Sequence, residues 1–382
     1  MIRKLIPLLL APLWLAAEDW PQFRGPHHDG ISREKNWLTD WPEEGPKRLW
    51  EAQVGIGFSS VAVANGCVYT LGHAKGKDVL HCIDAGTGRA LWKHEWASDL
   101  GAKFYIGGPG STPTVHEGRI YVAGKWGEVL CLAAKGGQVD VVWTRHLAKE
   151  EKVRIPTWGF NGSPLVLGDR LLLNAGAAGV ALDLKTGKTL WKSADGEAGY
   201  ATPLPMQLGG QPHVVVSSGR AYSAVRVSDG REAWSLRWFT RYGVNAADAI
   251  VDGDQVFVGS GYRKGCGVYK IGAELTEVWK NKNLSTQMNA AVKLGDYLYG
   301  FDGDSGGPGK LRCVSWKTGE VAWEQATGFG ALTAADGRLL VLTGAGALMT
   351  APATPKGFTP TGRARVLDKD CWTAPVLANG LL

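Results

Sequence analysis

One short unit, repeated along the chain, constrains this sequence more than any other feature. Its clearest copy runs from Ala181 to Trp191 and reads Asp-x-x-Thr-Gly-x-x-x-Trp from Asp183 onward; close variants occupy residues 82–92 and 313–323. A period of roughly 40 to 50 residues is typical of propellers and solenoids, whose modules bury their faces against their neighbours. The repeat therefore predicts one large array. The tryptophans that mark it are Trp50, Trp92, Trp143, Trp191, Trp234, Trp279 and Trp323.

A second signal accompanies the tryptophans: a two-residue turn between two apolar runs, rich in Gly, Asn and Asp. Such pairs supply the positive φ angles that tight hairpins need. Together with the Asp-x-x-Thr-Gly turn, each module has four antiparallel strands, which is the composition of a propeller blade. The eight turns are Asn65-Gly66, Glu117-Gly118, Gly168-Asp169, Gly209-Gly210, Asp252-Gly253, Gly295-Asp296, Asp336-Gly337 and Asn379-Gly380.

These two signals predict an all-β, eight-bladed β-propeller over residues 49–382. Trp50 has no turn before it, so we expect its strand to be the outer strand of the last blade, which closes the ring and removes open edges. The chain ends one strand after the Asn379-Gly380 turn. The eighth blade should therefore be incomplete. Residues 18–48, rich in Pro, Gly and aromatics, should form an irregular arm on the propeller.

The first 17 residues have a basic start, a short apolar core and a small-residue exit at Ala16-Ala17, the features of a secretory signal peptide. The apolar run is shorter than the about 20 residues of a membrane span. We therefore expect an exported monomer, periplasmic or extracellular, that begins near Glu18. The formal net charge is +6 without a dense basic run, which does not favour nucleic acid as a partner.

Six cysteines in an exported chain raise the question of disulfides. Cys82, Cys131 and Cys313 fall in one slot of the repeat, where other copies have alanine, so they are expected to be small buried core residues. The pairing of Cys67 with Cys82 across adjacent strands stays open.

The irregular loops of such a ring gather on one face, here called the long-loop face, which holds the second-to-third loops and the blade-to-blade connections. We expect a binding site there, because the opposite face, here called the short-turn face, has only tight turns. The alternative for each side chain is structural: aromatics can seal neighbouring blades, and Asp302-Gly303-Asp304 can be turn chemistry. The expected binding residues are Trp126, Trp158, Tyr200, Arg241, Tyr242, Asn245, Asn289 and Trp372.

The repeat resembles that of PQQ-type (quinoprotein) β-propellers over nearly all of residues 50–382. The opening Trp20 to Pro26 segment, with Tyr200 to Pro203, Arg241 to Asp248 and Cys371 to Pro375, is similar to exported PQQ-like repeat proteins of planctomycete-type bacteria. The fold also resembles the BamB-type propeller lipoproteins of outer-membrane assembly. No Cys follows the leader closely, so their lipid anchor is not expected here.

The quinoprotein resemblance implies a possible site on the axis, where those enzymes stack PQQ on a Trp, bind Ca²⁺ through oxygen ligands and use an Asp as base. It assigns stacking to Trp126, Trp158 or Trp372, an acid-binding role to Arg241, and the base to Asp248. The adjacent Cys-Cys pair of the quinoprotein alcohol dehydrogenases is absent. The candidate metal ligands are Asn245, Asn289 and Asp302.

Three hypotheses of function follow. The favoured hypothesis is a ligand- or protein-binding scaffold without a catalytic motif, and the cofactor stays unknown. The alternatives are a PQQ- and Ca²⁺-dependent dehydrogenase and a structural role in envelope assembly. The repeat predicts the fold and does not choose among these functions.

Overall fold

The computed structural model describes residues 18–42, 44–135, 137–368 and 370–382; the expected leader lies outside them. The described residues form seven antiparallel sheets of four consecutive strands, arranged as propeller blades, and the all-β prediction is confirmed. One added strand, β1, pairs in parallel with the first strand of the seventh sheet. Among the described residues the one α-helix is the four-residue α1, Leu147–Glu150. No helix in these ranges has the length and apolarity to cross a membrane.

The strands follow the chain in simple order. The first is β1 (Ile31–Ser32) in the arm. Blade 1 holds β2 (Ala62–Ala64), β3 (Cys67–Ala74), β4 (Lys77–Asp84) and β5 (Ala90–Ala97). Blade 2 holds β6 (Thr114–His116), β7 (Arg119–Ala123), β8 (Glu128–Lys135) and β9 (Gln138–His146). Blade 3 holds β10 (Leu165–Leu167), β11 (Arg170–Leu173), β12 (Val180–Asp183) and β13 (Thr189–Lys192). Blade 4 holds β14 (Leu204–Leu208), β15 (Gln211–Ser217), β16 (Ala221–Arg226) and β17 (Glu232–Arg237).

The remaining blades continue the series. Blade 5 holds β18 (Ile250–Asp252), β19 (Gln255–Ser260), β20 (Gly265–Lys270) and β21 (Thr276–Asn281). Blade 6 holds β22 (Val292–Leu294), β23 (Tyr297–Asp302), β24 (Lys310–Ser315) and β25 (Val321–Ala326). Blade 7 holds β26 (Gly330–Ala335), β27 (Arg338–Thr343), β28 (Ala347–Pro352) and β29 (Gly362–Arg365).

The Asp-x-x-Thr-Gly unit forms the turn between the third and fourth strands. In blade 3, Asp183 Oδ1 accepts hydrogen bonds from the backbone N–H and the hydroxyl of Thr186, at 2.8 and 2.6 Å. Gly187 has φ +71°, a conformation that side chains disfavour. Gly187 also lies against the indole of Trp143 from the preceding blade, and a Cβ added at Gly187 would meet that ring at 2.7 Å. The repeat is thus a turn signal and a blade-to-blade packing signal together.

The cysteines take the places expected from the repeat. Cys82, Cys131 and Cys313 are buried, and all six cysteines are free. Across the β3–β4 pair, Cys82 stands opposite Tyr69 and Cys67 opposite Asp84. The two cysteines therefore occupy diagonal positions on neighbouring strands, and both thiols are free in this structure.

The eighth position of the ring holds the two ends of the chain. Thr333 donates its hydroxyl to the carbonyl of Pro375 at 2.6 Å, and Ala378 packs against Val63 of blade 1. Ala378 and Leu381 pair around the Asn379-Gly380 turn. A segment with the position of an inner strand thus lies between blades 7 and 1. This arrangement is compatible with eight blades, although a four-stranded eighth sheet is not formed by the described residues.

Trp50 lies outside the assigned strands, yet it makes the contact of a blade-outer tryptophan. Its indole donates to the carbonyl of Ala85 at 2.8 Å, and an added Cβ on Gly88 would come within 2.5 Å of its ring. Ring closure is therefore achieved by this indole, packed against the next turn, rather than by a paired strand. The equivalent bonds join Trp143 to Leu184, Trp191 to Val227, Trp279 to Trp316, and Trp323 to Thr354.

Residues 19–34 form what we call the plug, the part of the arm that enters the centre of the ring from the short-turn face. Trp20 pairs with Val63 on β2, Pro21 accepts the N–H of Val115 on β6, and Ile31 pairs with Ala334 on β26. One short segment can touch the first strands of separate blades only if those strands surround a common axis. The plug therefore lies inside the propeller, whereas Trp41, later in the arm, lies against Gly362 on β29, the outermost strand of blade 7.

Candidate functional site

The plug carries a nearly buried cation, Arg24. Its guanidinium donates to the carbonyls of Asp29 and Ala291, at 2.9 and 3.0 Å, and its Nε lies 4.0 Å from Asp248 Oδ2. The backbone N–H of Thr202 donates to the other oxygen of Asp248 at 2.8 Å. Burial raises the pKa of Asp248 to about 6, although Arg24 and this hydrogen bond oppose the shift. Asp248 is thus held by the plug and by blade 4.

The space beside Arg24 is nearly full. The cavity between the plug and the inner strands has a volume of about 20 Å³, which is room for roughly one water molecule. Asn289 borders this cavity and donates its side-chain amide to the carbonyl of Gly330 at 3.1 Å. Asn289 therefore borders the channel beside the plug, whereas Arg241 and Tyr242, with which we grouped it, are exposed.

The candidate metal ligands are used within the fold. Asn245 is fully buried; its amide nitrogen donates to the carbonyls of Ser218 and Trp238, at 2.9 and 2.7 Å, and its oxygen accepts from Ser260 at 2.8 Å. Asp302 accepts the N–H of Ser285 and pairs with Arg312 at 2.9 Å. The described residues contain no group of three or more His, Cys, Asp or Glu placed to hold a metal ion.

The residues on the axis therefore do not fit PQQ and Ca²⁺. The expected base Asp248 pairs with Arg24, and the expected oxygen ligands Asn245, Asn289 and Asp302 are each bonded to different parts of the fold. The plug occupies the channel beside Asp248 and Asn289. No catalytic step through a quinone follows from this geometry.

On the long-loop face, the structure does bring the predicted aromatic residues together. Trp372 stacks on Phe58 with ring centres 4.0 Å apart, and Tyr105 lies 6.0 Å from the same indole. Trp158 meets Tyr200 edge to face at 5.9 Å. Burial raises the pKa of Tyr200, and the nearby Glu197, Tyr262 and Tyr105 raise it further, while a backbone hydrogen bond to Trp158 opposes the shift. Trp158 and Tyr200 therefore form a second aromatic group on this face.

Arg241 and Tyr242 stand at the outer part of this surface. Both are exposed, Tyr242 by 53%, and the Arg241 guanidinium lies 5.3 Å from the centre of the Tyr242 ring. Tyr242 meets Tyr262 edge to face at 5.0 Å. Their exposure and the neighbouring aromatics suit them for contact with another molecule.

Sequence reasoning did not single out Lys125 as a site residue, yet Lys125 organises the long loop between β5 and β6 on this face. Its ammonium is buried and donates to Tyr105 Oη at 2.5 Å and to the carbonyls of Leu100 and Gly108, at 3.2 and 3.3 Å. Burial lowers the pKa of Lys125 to about 8, and Asp78 and Asp99 partly offset this shift. The loop held in this way presents Phe104 to solvent, with 88% of its side chain exposed. Trp126, which we predicted, donates its indole to Asp99 in the same loop at 2.8 Å.

The plug residue Arg24 was also missed as a site residue. Its sequence signal is the Trp-Pro-Gln-Phe-Arg-Gly-Pro run, in which Gly25 has φ +79° and lies against the Trp20 ring. That run indicates a tight, aromatic-packed turn, but nothing in it shows that the turn sits on the axis of a ring.

A cavity of about 540 Å³ opens between blades 1 and 2 on the short-turn side. Trp92 borders it, and no atom lies within 4 Å of an added Cβ on Gly137, in contrast to the tryptophan contacts of Gly88, Gly187, Gly230 and Gly319. The cavity thus marks a junction where the repeat contact is not made. Its lining is mixed, with Arg89 as its charged member.

Comparisons with known proteins agree with this architecture. A family model described as outer membrane protein assembly factor BamB matches residues 35–194 and 75–325. The chain belongs to this family. A BamB from Burkholderia pseudomallei (strain K96243) is 27% identical over 315 residues, which cover 68% of this chain and 77% of the relative.

Solved structures show the same fold at low identity. BamB from Moraxella catarrhalis superposes with a TM-score of 0.60 at 15% identity, covering 80% of this chain and 87% of that one. A europium-containing methanol dehydrogenase superposes with a TM-score of 0.68 at 12% identity, covering 92% and 86%. An assembly factor and an oxidoreductase share this propeller fold. The structural likeness therefore describes the fold of this BamB-family chain, and its activity must be argued from its own side chains.

Proposed function

We propose that this protein is an exported, non-catalytic propeller that binds another protein through its long-loop face and serves as a scaffold in the cell envelope. The observation that carries the proposal is the contrast between the two faces. Large apolar side chains stand exposed on the long-loop connections, and within the described residues none of that kind lies in the eight short turns. The exposed residues on these connections are Ile56, Phe104, Ile106, Ile155, Phe239 and Tyr242.

Exposed aromatic side chains on one face favour a protein partner because aromatic residues are enriched at the centres of protein interfaces. Phe104 and Tyr242 project from loops of different blades, so a partner touching both would span the mouth of the ring. Lys125 holds the Phe104 loop through several hydrogen bonds, which lowers the ordering cost of binding. The name of the BamB relatives, outer membrane protein assembly factor, supports a role of this class.

The location is part of the proposal. The basic, then apolar, then small-residue pattern of residues 1–17 supports export, and an envelope scaffold requires it. Export is tested by fractionating the cells that produce the protein and sequencing its mature N-terminus, which should lie near Glu18.

Site-specific photo-crosslinking tests the scaffold. A photoreactive phenylalanine analogue replaces Phe104 or Tyr242. The matched control position is Lys188, which is exposed in the Asp-x-x-Thr-Gly turn of blade 3 on the short-turn face. In the producing cell, the two long-loop positions should give the same protein adduct, and Lys188 should give none. Equal adducts at all three positions, or no adduct at either long-loop position, would contradict the proposal.

The dehydrogenase alternative has its own test. Purified protein is incubated with PQQ and Ca²⁺, and the quinone absorbance and the reduction of a dye are followed with a panel of alcohols. The scaffold proposal expects neither a shifted quinone spectrum nor dye reduction, because the axis is occupied by Arg24 and its partners. Stoichiometric PQQ binding with turnover would overturn it.

A further inference from the structure

Three cations meet at the junction of blades 4 and 5 on the long-loop face. Arg237 ends β17, Lys264 precedes β20, and Lys280 lies near the end of β21. The Lys264 and Lys280 ammonium groups lie 4.9 and 5.3 Å from the centre of one ring, that of Trp238. We call these three residues the cationic cluster.

Trp238 fixes the floor of the cluster. Its side chain is fully buried, and its indole N–H donates to Ser260 Oγ at 3.1 Å. A rigid aromatic ring attracts ammonium groups through its quadrupole. The two lysines are therefore drawn to one place by a neutral group, which supplies no negative charge to balance them.

The like charges act on one another. Burial lowers the pKa of Lys264, and the charges of Lys280 and Arg237 lower it further. Within the part of the chain that the structure describes, none of the three side chains forms an ion pair or a side-chain hydrogen bond. Arg312, by contrast, is a partly buried cation with acidic partners: it forms ion pairs with Asp302 and Glu324, both at 2.9 Å.

The surrounding loops add positive charge and almost no negative charge. Residues 218–221, 238–249, 261–264 and 282–291 contain a single acidic residue, Asp248, which faces Arg24 in the channel. In blade 6, Asp304 accepts the backbone N–H of Tyr262 at 2.7 Å. The further cations of these loops are Arg220, Arg241, Arg263 and Lys282.

Two exposed aromatic rings, Phe239 and Tyr242, lie on the connection that begins at Trp238. Lys264 is recessed relative to the exposed Arg237 and Lys280, so an anion must enter between the loops to reach all three. A carboxylate on a flexible chain can do so, whereas the flat surface of a bilayer meets only the outer charges. Uncompensated cations beside exposed aromatics are the complement of an acidic segment that also carries apolar side chains.

We propose that the cationic cluster binds an acidic, extended segment of a partner protein, with carboxylates at Arg237, Lys264 and Lys280 and apolar side chains on Phe239 and Tyr242. This inference rests on the proposed scaffold function and names the chemistry of its partner. The contact is electrostatic at its centre, so it should weaken as salt rises and screens the charges.

The experiment measures binding of a fluorescent peptide of alternating Glu and Phe by anisotropy, with the Gln-for-Glu peptide as the neutral control. The wild-type protein should prefer the acidic peptide by about tenfold or more, and K264E/K280E should lose that preference. K264R/K280R should retain it, because the charges remain. K185E/K188E, an equal charge change in the Asp-x-x-Thr-Gly turn of blade 3, should bind like the wild type.

Several results would overturn the inference: equal binding of the two peptides, unchanged binding by K264E/K280E, or the same loss in K185E/K188E. Vesicles of phosphatidylglycerol are a further arm, and vesicle binding that depends on Lys264 and Lys280, without peptide binding, would assign the surface to lipid instead. Denaturation curves confirm that each variant is folded. If the peptide result is negative while Phe104 still crosslinks to a protein, the scaffold stands and this inference fails; if both are negative, both fail.

Discussion

The plug and the long-loop face contain the same kinds of residue and use them differently. In the plug, Arg24 has carbonyl and carboxylate partners and Trp20 is buried against blade 1. On the long-loop face, Arg241 and Tyr242 are exposed and contact mainly each other and Tyr262. An arginine whose hydrogen-bonding capacity is met inside the fold stabilises the fold, while an arginine left open is available to a partner. The following predictions test this distinction, beginning with the largest effect.

Arg24→Ala should lower the free energy of unfolding by about 3–5 kcal/mol, because it leaves Asp248 buried without its cation. Arg241→Ala should change it by less than about 0.5 kcal/mol. Equilibrium urea denaturation measures both. The double variant Arg24→Met, Asp248→Leu should recover part of the loss, since no unpaired charge remains. Equal effects of the two single arginine variants would remove the distinction between the regions.

The plug should also show opposed pH effects. Burial raises the pKa of Asp248 to about 6, so its contribution to stability is present at low pH and is lost as pH rises through about 6. Burial and Arg24 lower the pKa of His28 to about 4, so its contribution is present above about pH 6.5 and is lost as pH falls through about 4. Between about pH 4 and pH 6, a rise in pH therefore removes the contribution of Asp248 to stability and restores that of His28.

Relative to the wild type, Asp248→Asn should therefore gain stability as pH rises from about 4 to 6, and His28→Gln should lose it, each by about 2–3 kcal/mol. Thermal or urea unfolding at closely spaced pH values measures the difference curves. If the stability of both variants changed with pH in the same way as that of the wild type, Asp248 and His28 would not be buried by the plug in solution. Tyr242→Phe, on the other face, should follow the wild-type curve.

The closure at Trp50 can be examined through a matched pair of glycines. Gly88 and Gly66 have φ values of +72° and +73°, but only at Gly88 would an added Cβ meet an indole, that of Trp50. Gly88→Ala should cost about 1–3 kcal/mol more than Gly66→Ala, because it overpacks the closure. The extra cost should disappear in a Trp50→Ala background, and Gly187→Ala should match Gly88→Ala. If Gly88→Ala kept its extra cost in the Trp50→Ala background, the cost would not arise from contact with this indole, and the role of Trp50 in ring closure would be contradicted.

The smallest stability effects belong to the long-loop face. Phe104→Ala and Tyr242→Ala should each change the free energy of unfolding by less than about 0.5 kcal/mol, since their side chains are exposed. The same variants should reduce binding of the crosslinked partner, measured with the purified pair. Val122→Ala, at a fully buried position, is the contrast: it should destabilise the fold and leave the affinity of the folded fraction unchanged. If Tyr242→Ala instead destabilised the protein while its folded fraction still bound the partner normally, Tyr242 would belong to the fold and the binding surface would lie outside it.

The sequence predicted the turns well because each is a local device. Five of the eight short turns have both central residues at positive φ, as at Asn65-Gly66. At the fifth turn the central pair is Gly253-Asp254 rather than Asp252-Gly253, since Asp252 pairs with Gln255. Asp183, Thr186 and Gly187 form their turn from bonds within a few residues. Such features need only neighbouring residues, and the pattern of residues therefore determines them.

The placement of the candidate site residues was predicted in part. Arg241 and Tyr242 are exposed in a long-loop connection, as expected, because loop length and strand alternation determine which loops share a face. The sequence did not distinguish these from Asn245 and Asn289, whose partners Trp238 and Gly330 are defined by the blade packing. An amide in a loop looks the same in sequence whether its hydrogen bonds are internal or free.

By itself, then, the sequence determined the blade repeat, the turns and the two faces, since these follow from local φ preferences and a regular period. Only the tertiary structure decided that Arg24 fills the axis, that Trp50 closes the ring without a paired strand, and that Lys264 and Lys280 share one indole. Each of these contacts joins residues far apart in the chain or on different strands. Their chemistry depends on burial and on the neighbours that the closed ring brings to them, and local sequence does not encode either.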